Sequence, residues 1–186
     1  MSIFNKKKTD NNTPHFAVCG IVEINGKILL VRHTYGVAKD RILLPGGYVK
    51  ENELPTFAIE REVFEETSVC CKAKDLFSMQ FKSEQWCAVF TLEYKSGTPT
   101  SDDYENSEVL LLNIDEALER EDLTNMSREI LKSYKNDKNG LAKSDYIAKS
   151  RTEKDYVIFG VWYNWRPDNQ YIYWKYKTKK FYRKNR

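Results

Sequence analysis

The residues in this sequence most able to do chemistry are three glutamates at positions 62, 65 and 66. Offsets of three and four residues bring side chains onto one face of a helix, so Glu62, Glu65 and Glu66 would project together. Carboxylates gathered in this way repel one another unless a positive charge lies between them. Carboxylate oxygens suit Mg²⁺ or Mn²⁺, and phosphate oxygens usually complete the coordination shell of such ions. The spacing therefore predicts a divalent-cation site.

The neighbouring residues predict the elements that position these carboxylates. Gly46 and Gly47 permit a turn in which the backbone is approached closely. Pro55 suits the first turn of a helix, because its missing N–H needs no partner there, and we expect this helix to span residues 54–67. Glu53 lies just before the helix, at the positive end of the helix dipole. A turn followed by a helix would thus present the three glutamates.

The stretch from residue 47 to residue 69 resembles the Nudix box, whose pattern is G-x5-E-x7-R-E-U-x-E-E-x-G-U, where U is an aliphatic residue. Eight of the nine fixed positions match, namely Gly47, Glu53, Arg61, Glu62, Val63, Glu65, Glu66 and Val69. The departure is Ser68, which stands where the box has glycine. Glycine would end the helix in the left-handed conformation, and serine in that conformation costs on the order of 1 kcal/mol. Either Ser68 tolerates this cost or the helix ends differently.

The resemblance extends over about residues 14–135 and implies an α/β fold of the Nudix type, an α/β/α sandwich with a mixed sheet. The predicted alternation of strands with few helices fits that class. The resemblance also implies Mg²⁺-dependent hydrolysis of a pyrophosphate bond in a nucleoside diphosphate derivative, with Mn²⁺ as an alternative ion. We expect an ADP-ribose-like substrate first, and an ordinary or oxidised nucleoside triphosphate second.

Roles for the box residues follow from the same resemblance. Glu62, Glu65 and Glu66 are expected to be the catalytic metal ligands, and the carbonyl of Gly46 a further ligand. Arg61 lies next to the acidic cluster and can orient a carboxylate through forked hydrogen bonds.

The base that activates the attacking water has several candidates. Family members often add an acidic residue from outside the box, and the acids available here are Asp102, Asp103, Glu105 and Glu108. We expect Glu108 to serve as ligand or general base, with Glu53 as the alternative base.

Substrate phosphates need cationic or backbone partners. Arg32 and Arg41 are candidates for such contacts, although a simple surface role suits them equally well. Gly46 and Gly47 are further candidates for substrate binding. His15 and His33 lack the spacing of metal ligands and are expected to lie at strand ends or in the core.

Composition limits the remaining function classes. The 186 residues suit one domain with an extension, and 41% hydrophobic residues suffice for a packed core. No apolar run approaches the ~20 residues of a membrane span, and we expect no membrane contact. The four cysteines lack paired C-x-x-C spacing, so zinc is not expected and we predict reduced thiols in a cytoplasmic protein. Cys70 and Cys71 should point to opposite faces of a strand.

The periodic segments predict the elements along the chain. Strands are expected at residues 16–24, 27–32, 70–81, 86–94 and 108–112, and further helices at 115–120 and 124–135. Asn25-Gly26 is a strong signal for a hairpin turn between the first two strands.

The ends of the chain differ from its centre. We expect a flexible N-terminus at residues 1–13, a Nudix domain at 14–137, and a linker with a C-terminal aromatic β-hairpin at 138–186. The segment 156–182 holds 11 of the 25 aromatic residues. Residues 171–186 carry seven lysines and arginines without any acid, so the remainder of the chain has a net charge of −4.

The aromatic and basic tail allows three interpretations. It can pack against the body or a second subunit, which would make a homodimer. One of its aromatic rings can stack on the base of a substrate. Finally, it can bind RNA through stacking and phosphate contacts. A Nudix-fold sensor that binds nucleotide sugars without turnover is a further alternative, but such proteins usually lose the box glutamates that this chain retains.

Overall fold

A computed structural model of the chain describes residues 15–143 and 159–160. These residues form nine strands: β1 (His15–Ile24), β2 (Lys27–His33), β3 (Ile42–Leu43), β4 (Gly46–Tyr48), β5 (Cys70–Phe81), β6 (Gln85–Ser96), β7 (Asn106–Leu112), β8 (Leu141–Lys143) and β9 (Phe159–Gly160). They also form three α-helices: α1 (Pro55–Thr67), α2 (Ile114–Glu119) and α3 (Asn125–Asn136). None of the described helices is long and apolar enough to cross a membrane.

The strands form one mixed sheet in the order β3-β2-β1-β6-β5-β8-β9. Strand β4 also pairs with β1, and β7 pairs with β2. Strands β1 and β6 are parallel over eight residue pairs, whereas the other paired strands are antiparallel. Strand β1 is therefore central, and its pairing with β4 brings the Gly46-Gly47 segment onto the sheet.

Two apolar layers cover the two faces of the sheet. Successive side chains of a strand point to opposite faces, and β1 follows this rule. Cys19 and Ile21 pack with residues of α2 and α3 in one buried cluster. Val18 and Val22 pack with residues of α1 in the other. The predicted α/β/α sandwich with a mixed sheet is thus confirmed.

Helix α1 forms and ends where the sequence predicts. Pro55 is its first residue, and Ala58, Ile59 and Val63 form its buried face. Ser68 ends the helix with φ 59° and ψ 16°, and its N–H donates to the carbonyl of Phe64 at 2.9 Å. Ser68 therefore adopts the left-handed conformation that glycine takes in the box pattern.

Other local predictions agree with the structure. Asn25 and Gly26 both have positive φ, as the hairpin turn between β1 and β2 requires. Cys70 is exposed and Cys71 is buried, on opposite faces of β5. All four cysteines are free thiols.

The structure differs from the sequence prediction at the Gly-Gly segment and after α3. Gly46–Tyr48 is a short strand rather than only a turn, because β1 offers it a partner. Strand β8 lies in the segment expected to be a linker and pairs with β5. Of the predicted C-terminal hairpin, only Phe159–Gly160 is described, as strand β9 paired with β8. The rest of the hairpin and the predicted flexible N-terminus lie outside the described residues.

Candidate metal and substrate site

The three box glutamates line a single cleft of about 630 Å³. Helix α1 supplies the acidic wall, and strand β4 supplies Gly46 and Gly47 beside it. Across the cleft lie the end of β2 and the loop before β7, which contribute His33, Tyr35, Asp102, Tyr104 and Glu105. The structure therefore brings the predicted ligands together in a space large enough for a nucleotide-sized ligand.

Arg61 connects most of the carboxylates at this wall. Its Nε and Nη2 donate to the two oxygens of Glu53, both at 2.8 Å, in the forked geometry that the sequence predicts. Its Nη1 donates to Glu62 at 2.6 Å and to Glu65 at 2.8 Å. Nη2 also donates to the carbonyl of Tyr48 at 3.2 Å. One guanidinium thus serves three carboxylates.

The electrostatics of the wall reflect this imbalance. The hydrogen bonds from Arg61 hold the pKa of Glu53 below its ordinary value. The pKa of Glu62 is raised, because burial outweighs the contacts with Arg61. The pKa of Arg61 is itself raised, chiefly by the fork with Glu53. The cluster therefore carries excess negative charge in a partly desolvated position.

Both glycines of β4 are required by close approach. A Cβ atom on Gly47 would lie 2.5 Å from the carboxyl carbon of Glu62. A Cβ atom on Gly46 would overlap the backbone carbonyl oxygen of Val18 on the neighbouring strand. Any side chain at residue 47 would displace the Glu62 carboxylate, so this glycine shapes the site directly.

Glu66 is the most deeply buried of the three glutamates, with 2% of its surface exposed. Its Oε2 accepts the N–H of Gly46 at 2.9 Å, and its Oε1 lies 3.6 Å from Nε2 of His33. Burial raises the pKa of Glu66, and His33 and the Gly46 N–H act against that rise. This carboxylate is held by the sheet rather than by Arg61.

The loop acids occupy different places. Asp102 accepts the backbone N–H groups of Tyr104, Glu105 and Asn106, so it shapes the loop. Glu105 lines the cleft, and Tyr35 Oη donates to its Oε2 at 3.4 Å. Glu108 lies outside the cleft lining and bonds to Arg32 Nε at 2.8 Å.

Comparison with known proteins identifies the family. A family model described as the NUDIX domain matches residues 12–134. The chain belongs to the NUDIX family. The structural neighbours agree: a NUDIX hydrolase from Nitrosomonas europaea is 22% identical with a TM-score of 0.61, covering 66% of this chain and 70% of its own.

Two further similarities concern relatives with named activities. An ADP-ribose pyrophosphatase of Methanocaldococcus jannaschii is 39% identical over 66 residues, which are 36% of this chain and 39% of the relative. A bifunctional NMN adenylyltransferase/ADP ribose pyrophosphatase from Francisella tularensis is 20% identical with a TM-score of 0.60, covering 71% of this chain and 43% of its own. The matched part of this NUDIX chain thus spans less than half of either relative.

The donor set of this NUDIX protein fits a hard divalent cation. Glu62 and Glu65 both reach the same nitrogen of Arg61, so their carboxylates already face one shared position of positive charge. Gly47 leaves the room that the Glu62 carboxylate needs. Within the described residues, no three acidic, histidine or cysteine side chains are already arranged as ligands. A bound ion would therefore compete with Arg61 for Glu62 and Glu65.

A second arginine–carboxylate cluster lies outside the cleft lining. Arg32 bonds to Glu108 at 2.8 Å and to Asp122 at 2.9 Å. Arg120 bonds to both oxygens of Asp122, at 2.8 and 2.7 Å. We define these four residues as the Arg32 cluster. Arg32 and Glu108, both expected at the site, hold β2, β7 and the segment before α3 together.

Arg41 is also placed away from the cleft lining. Its Nε donates to the carbonyl of Asp122 at 2.9 Å, and its Nη2 to those of Glu121 and Leu123. These bonds satisfy the backbone of the turn that precedes α3, so the contacts that the structure shows for Arg41 are with the fold.

Sequence reasoning did not identify His33, Tyr35 and Asn106 as residues of the site. His33 was expected at a strand end, where it does lie, but nothing in its spacing indicated Glu66 as its neighbour. Asn106 begins β7 opposite His33, and only the strand register reveals that proximity. Tyr35 stacks on His33 with ring centroids 5.4 Å apart.

Proposed function

We propose that this protein is a Mg²⁺-dependent hydrolase of the pyrophosphate bond in nucleoside diphosphate derivatives, with ADP-ribose-like compounds as first-choice substrates. One observation carries the proposal: three glutamates and one arginine of α1 form the wall of a 630 Å³ cleft and leave it with excess negative charge. Such a wall attracts a divalent cation, and through it a substrate rich in phosphate.

Glu62, Glu65 and Glu66, together with the carbonyl of Gly46, would hold Mg²⁺ or Mn²⁺. When bound, such an ion neutralises phosphate charge and makes a bound water more acidic. Arg61 keeps its fork on Glu53, so the end of α1 nearest β4 stays fixed while Glu62 and Glu65 serve the ion. Gly47 keeps the Glu62 carboxylate against the backbone of β4.

Glu105 is our choice for the base that accepts a proton from the attacking water. It lines the cleft, whereas Glu108 is bonded to Arg32 and Glu53 to Arg61. Among the described residues, its carboxylate has a single hydrogen-bond partner, Tyr35 Oη, at the long distance of 3.4 Å. A carboxylate so weakly engaged is free to turn towards a water in the cleft.

The substrate choice rests on similarity and on the cleft lining. The partial relative is an ADP-ribose pyrophosphatase, which favours the same class of substrate here. Tyr35, Tyr48 and Tyr104 line the cleft and are 53%, 58% and 83% exposed, so their rings are available to stack on a base or ribose.

A substrate panel tests the proposal. The full chain is incubated with ADP-ribose, NADH, dinucleoside polyphosphates, capped RNA and nucleoside triphosphates in Mg²⁺, and again in a chelator. We expect Mg²⁺-dependent release of AMP from ADP-ribose, and its loss in Glu65→Gln and Glu66→Gln. Wild-type rates in both variants would contradict the assigned site. Tight binding of a nucleotide sugar with no turnover would favour a sensor instead.

A further inference from the structure

Glu66 depends on residues that lie outside the box for its orientation. Its carboxylate is 2% exposed, and Arg61 bonds instead to Glu53, Glu62 and Glu65. A buried carboxylate needs partners that fix its oxygens, because water cannot do so. One partner is the N–H of Gly46 at 2.9 Å from Oε2. The other oxygen faces the end of β2.

His33, the last residue of β2, lies next to this oxygen. Its Nε2 lies 3.6 Å from Oε1 of Glu66. A register shift between Arg32 and His33 in the pairing with β7 sets the position of this residue. Its backbone is fixed on both sides, since its N–H donates to Arg41 and its carbonyl accepts from Asp40. The ring is held by the stack on Tyr35.

Asn106, the first residue of β7, is the second residue outside the box that lies near Glu66. Its side chain has no exposed surface, and neither Oδ1 nor Nδ2 has a hydrogen-bond partner of good geometry among the described residues. Asn106 nevertheless pairs with His33 in the register of β2 with β7, and its amide acts against the rise in the pKa of Glu66. Its backbone is anchored by Asp102 and Ser101. A buried amide without partners is costly, so its place beside a buried carboxylate needs an explanation.

We propose that His33 and Asn106 are positioning residues that, with the N–H of Gly46, hold the Glu66 carboxylate in the orientation that binds a divalent cation. The inference rests on the proposed function, because it assumes that Glu66 is a metal ligand. Residues that contact a metal-ligating side chain, but not the metal itself, typically change metal affinity or activity by about 10-fold to 100-fold when they are replaced.

Asn106→Leu is the decisive variant. Leucine fills the buried volume but offers no amide dipole to Glu66, and it removes a buried amide that lacks a hydrogen bond of good geometry, so the fold should be retained. We expect Mn²⁺ affinity, measured by electron paramagnetic resonance on the full chain, to fall at least about 10-fold. The melting temperature should stay within about 4 °C of the wild type.

Thr56→Val is the matched control. Thr56 is 1% exposed, its Oγ1 also lacks a partner among the described residues, and it lies on α1 outside the cleft lining. Its replacement should leave Mn²⁺ affinity unchanged. A loss of affinity in both variants would show that any buried change in this region acts through the fold, and it would overturn the proposal.

His33 provides a second test that does not rely on a buried substitution. His33→Leu should weaken Mn²⁺ binding, and His33→Gln, which restores an N–H donor, should recover part of the loss. Wild-type Mn²⁺ affinity in both Asn106→Leu and His33→Leu would overturn the positioning role while leaving the hydrolase proposal intact. Failure of the wild type itself to bind Mn²⁺ would contradict the proposed function and this inference together.

If Asn106→Leu does not fold, the His33 pair decides alone. Weakened binding in His33→Leu with recovery in His33→Gln supports the proposal, and equal affinity in wild type and His33→Leu overturns it.

Discussion

This protein contains two arginine–carboxylate networks that differ in their ratio of positive to negative side chains. At the cleft, Arg61 meets three carboxylates, Glu53, Glu62 and Glu65, and Lys50 adds one ion pair with Glu65 at 3.7 Å. In the Arg32 cluster, two guanidinium groups meet two carboxylates. The first network is short of positive charge and faces a cavity, whereas the second is balanced and joins elements of the fold. Charge balance, rather than the presence of acids, distinguishes the proposed cation site from the structural cluster.

The pKa shifts of the buried box glutamates and of Asp122 have opposite signs. Burial raises the pKa values of Glu62 and Glu66. Arg120, followed by Arg32, holds the pKa of Asp122 well below its usual range. Ionised Glu66 therefore costs stability at neutral pH, and ionised Asp122 supplies it. A carboxylate that lowers the free energy of unfolding is typical of a functional site, because such sites are kept for activity rather than for stability.

The largest expected effect is on turnover. Glu65→Gln or Glu66→Gln should lower kcat for ADP-ribose by about 100-fold to 1000-fold. Each variant removes a negative charge that would hold the divalent cation, and the cation neutralises the charge on the phosphates in the transition state. Glu108→Gln removes a carboxylate from the balanced cluster and should lower kcat by less than about 5-fold. Steady-state rates of AMP release decide the comparison. It would break if Glu108→Gln lost as much activity as Glu65→Gln.

The next effect is on stability. Arg61→Gln leaves three carboxylates without their shared cation and should lower the free energy of unfolding by about 2 kcal/mol, less than for a fully buried pair. Arg32→Gln leaves Asp122 still bonded to Arg120 and should cost about 1 kcal/mol. Urea unfolding in a chelating buffer measures both. Equal losses would mean that charge imbalance at the cleft does not matter to the fold.

The pH dependence of the free energy of unfolding should reveal the opposite pKa shifts of Asp122 and Glu66. The folded-state pKa of Asp122 lies below the ordinary 3.8, so its contacts stabilise the protein above that value and are lost as the pH falls. Asp122→Asn should therefore cost about 1–2 kcal/mol at pH 7, and this cost should shrink progressively as the pH falls below 3.8.

Glu66 should behave in the opposite way. Its pKa lies above the ordinary 4.5, so its contribution favours folding below that pH and is lost as the pH rises. Glu66→Gln should raise the free energy of unfolding at pH 7 by about 1 kcal/mol in the absence of divalent ions. Urea titrations at several pH values test both variants. A Glu66→Gln variant less stable than the wild type at pH 7 would refute the claim that ionised Glu66 destabilises the fold.

The smallest effect concerns the end of the helix that carries the first network. Ser68 has φ 59°, where glycine has no steric penalty. Ser68→Gly should stabilise the fold by at most about 1 kcal/mol. A fall in the melting temperature would contradict this. Ser68→Ala is the control, since alanine keeps the penalty and should bring no gain.

The sequence predicted that the box glutamates lie together, but it did not predict the residues around them. Glu62, Glu65 and Glu66 are found together because helical spacing depends on local geometry alone. The neighbours of Glu66 could not be predicted, since His33 and Asn106 meet it only through the register of β2 with β7. Strand register depends on long-range pairing that one sequence does not display.

The same limit explains the placement of Glu108 and Arg32. Glu108 was expected at the site as an acid from outside the box, and Arg32 as a candidate partner for a substrate phosphate. Strand β7 presents Glu108 directly opposite Arg32 of β2, and the two bond to each other. Glu105, three residues earlier, lies in the loop that borders the cleft. A shift of three residues along this segment thus separates a candidate base from a structural ion pair.

The most direct test of the central claim is Mn²⁺ binding, measured by electron paramagnetic resonance on the wild type, Glu65→Gln and Glu108→Gln. We expect the wild type to bind Mn²⁺, Glu65→Gln to bind it at least about 10-fold more weakly, and Glu108→Gln to stay within about 3-fold of the wild type. Equal affinity in the two variants, or no binding by the wild type, would contradict the claim that the unbalanced network on α1 is the cation site.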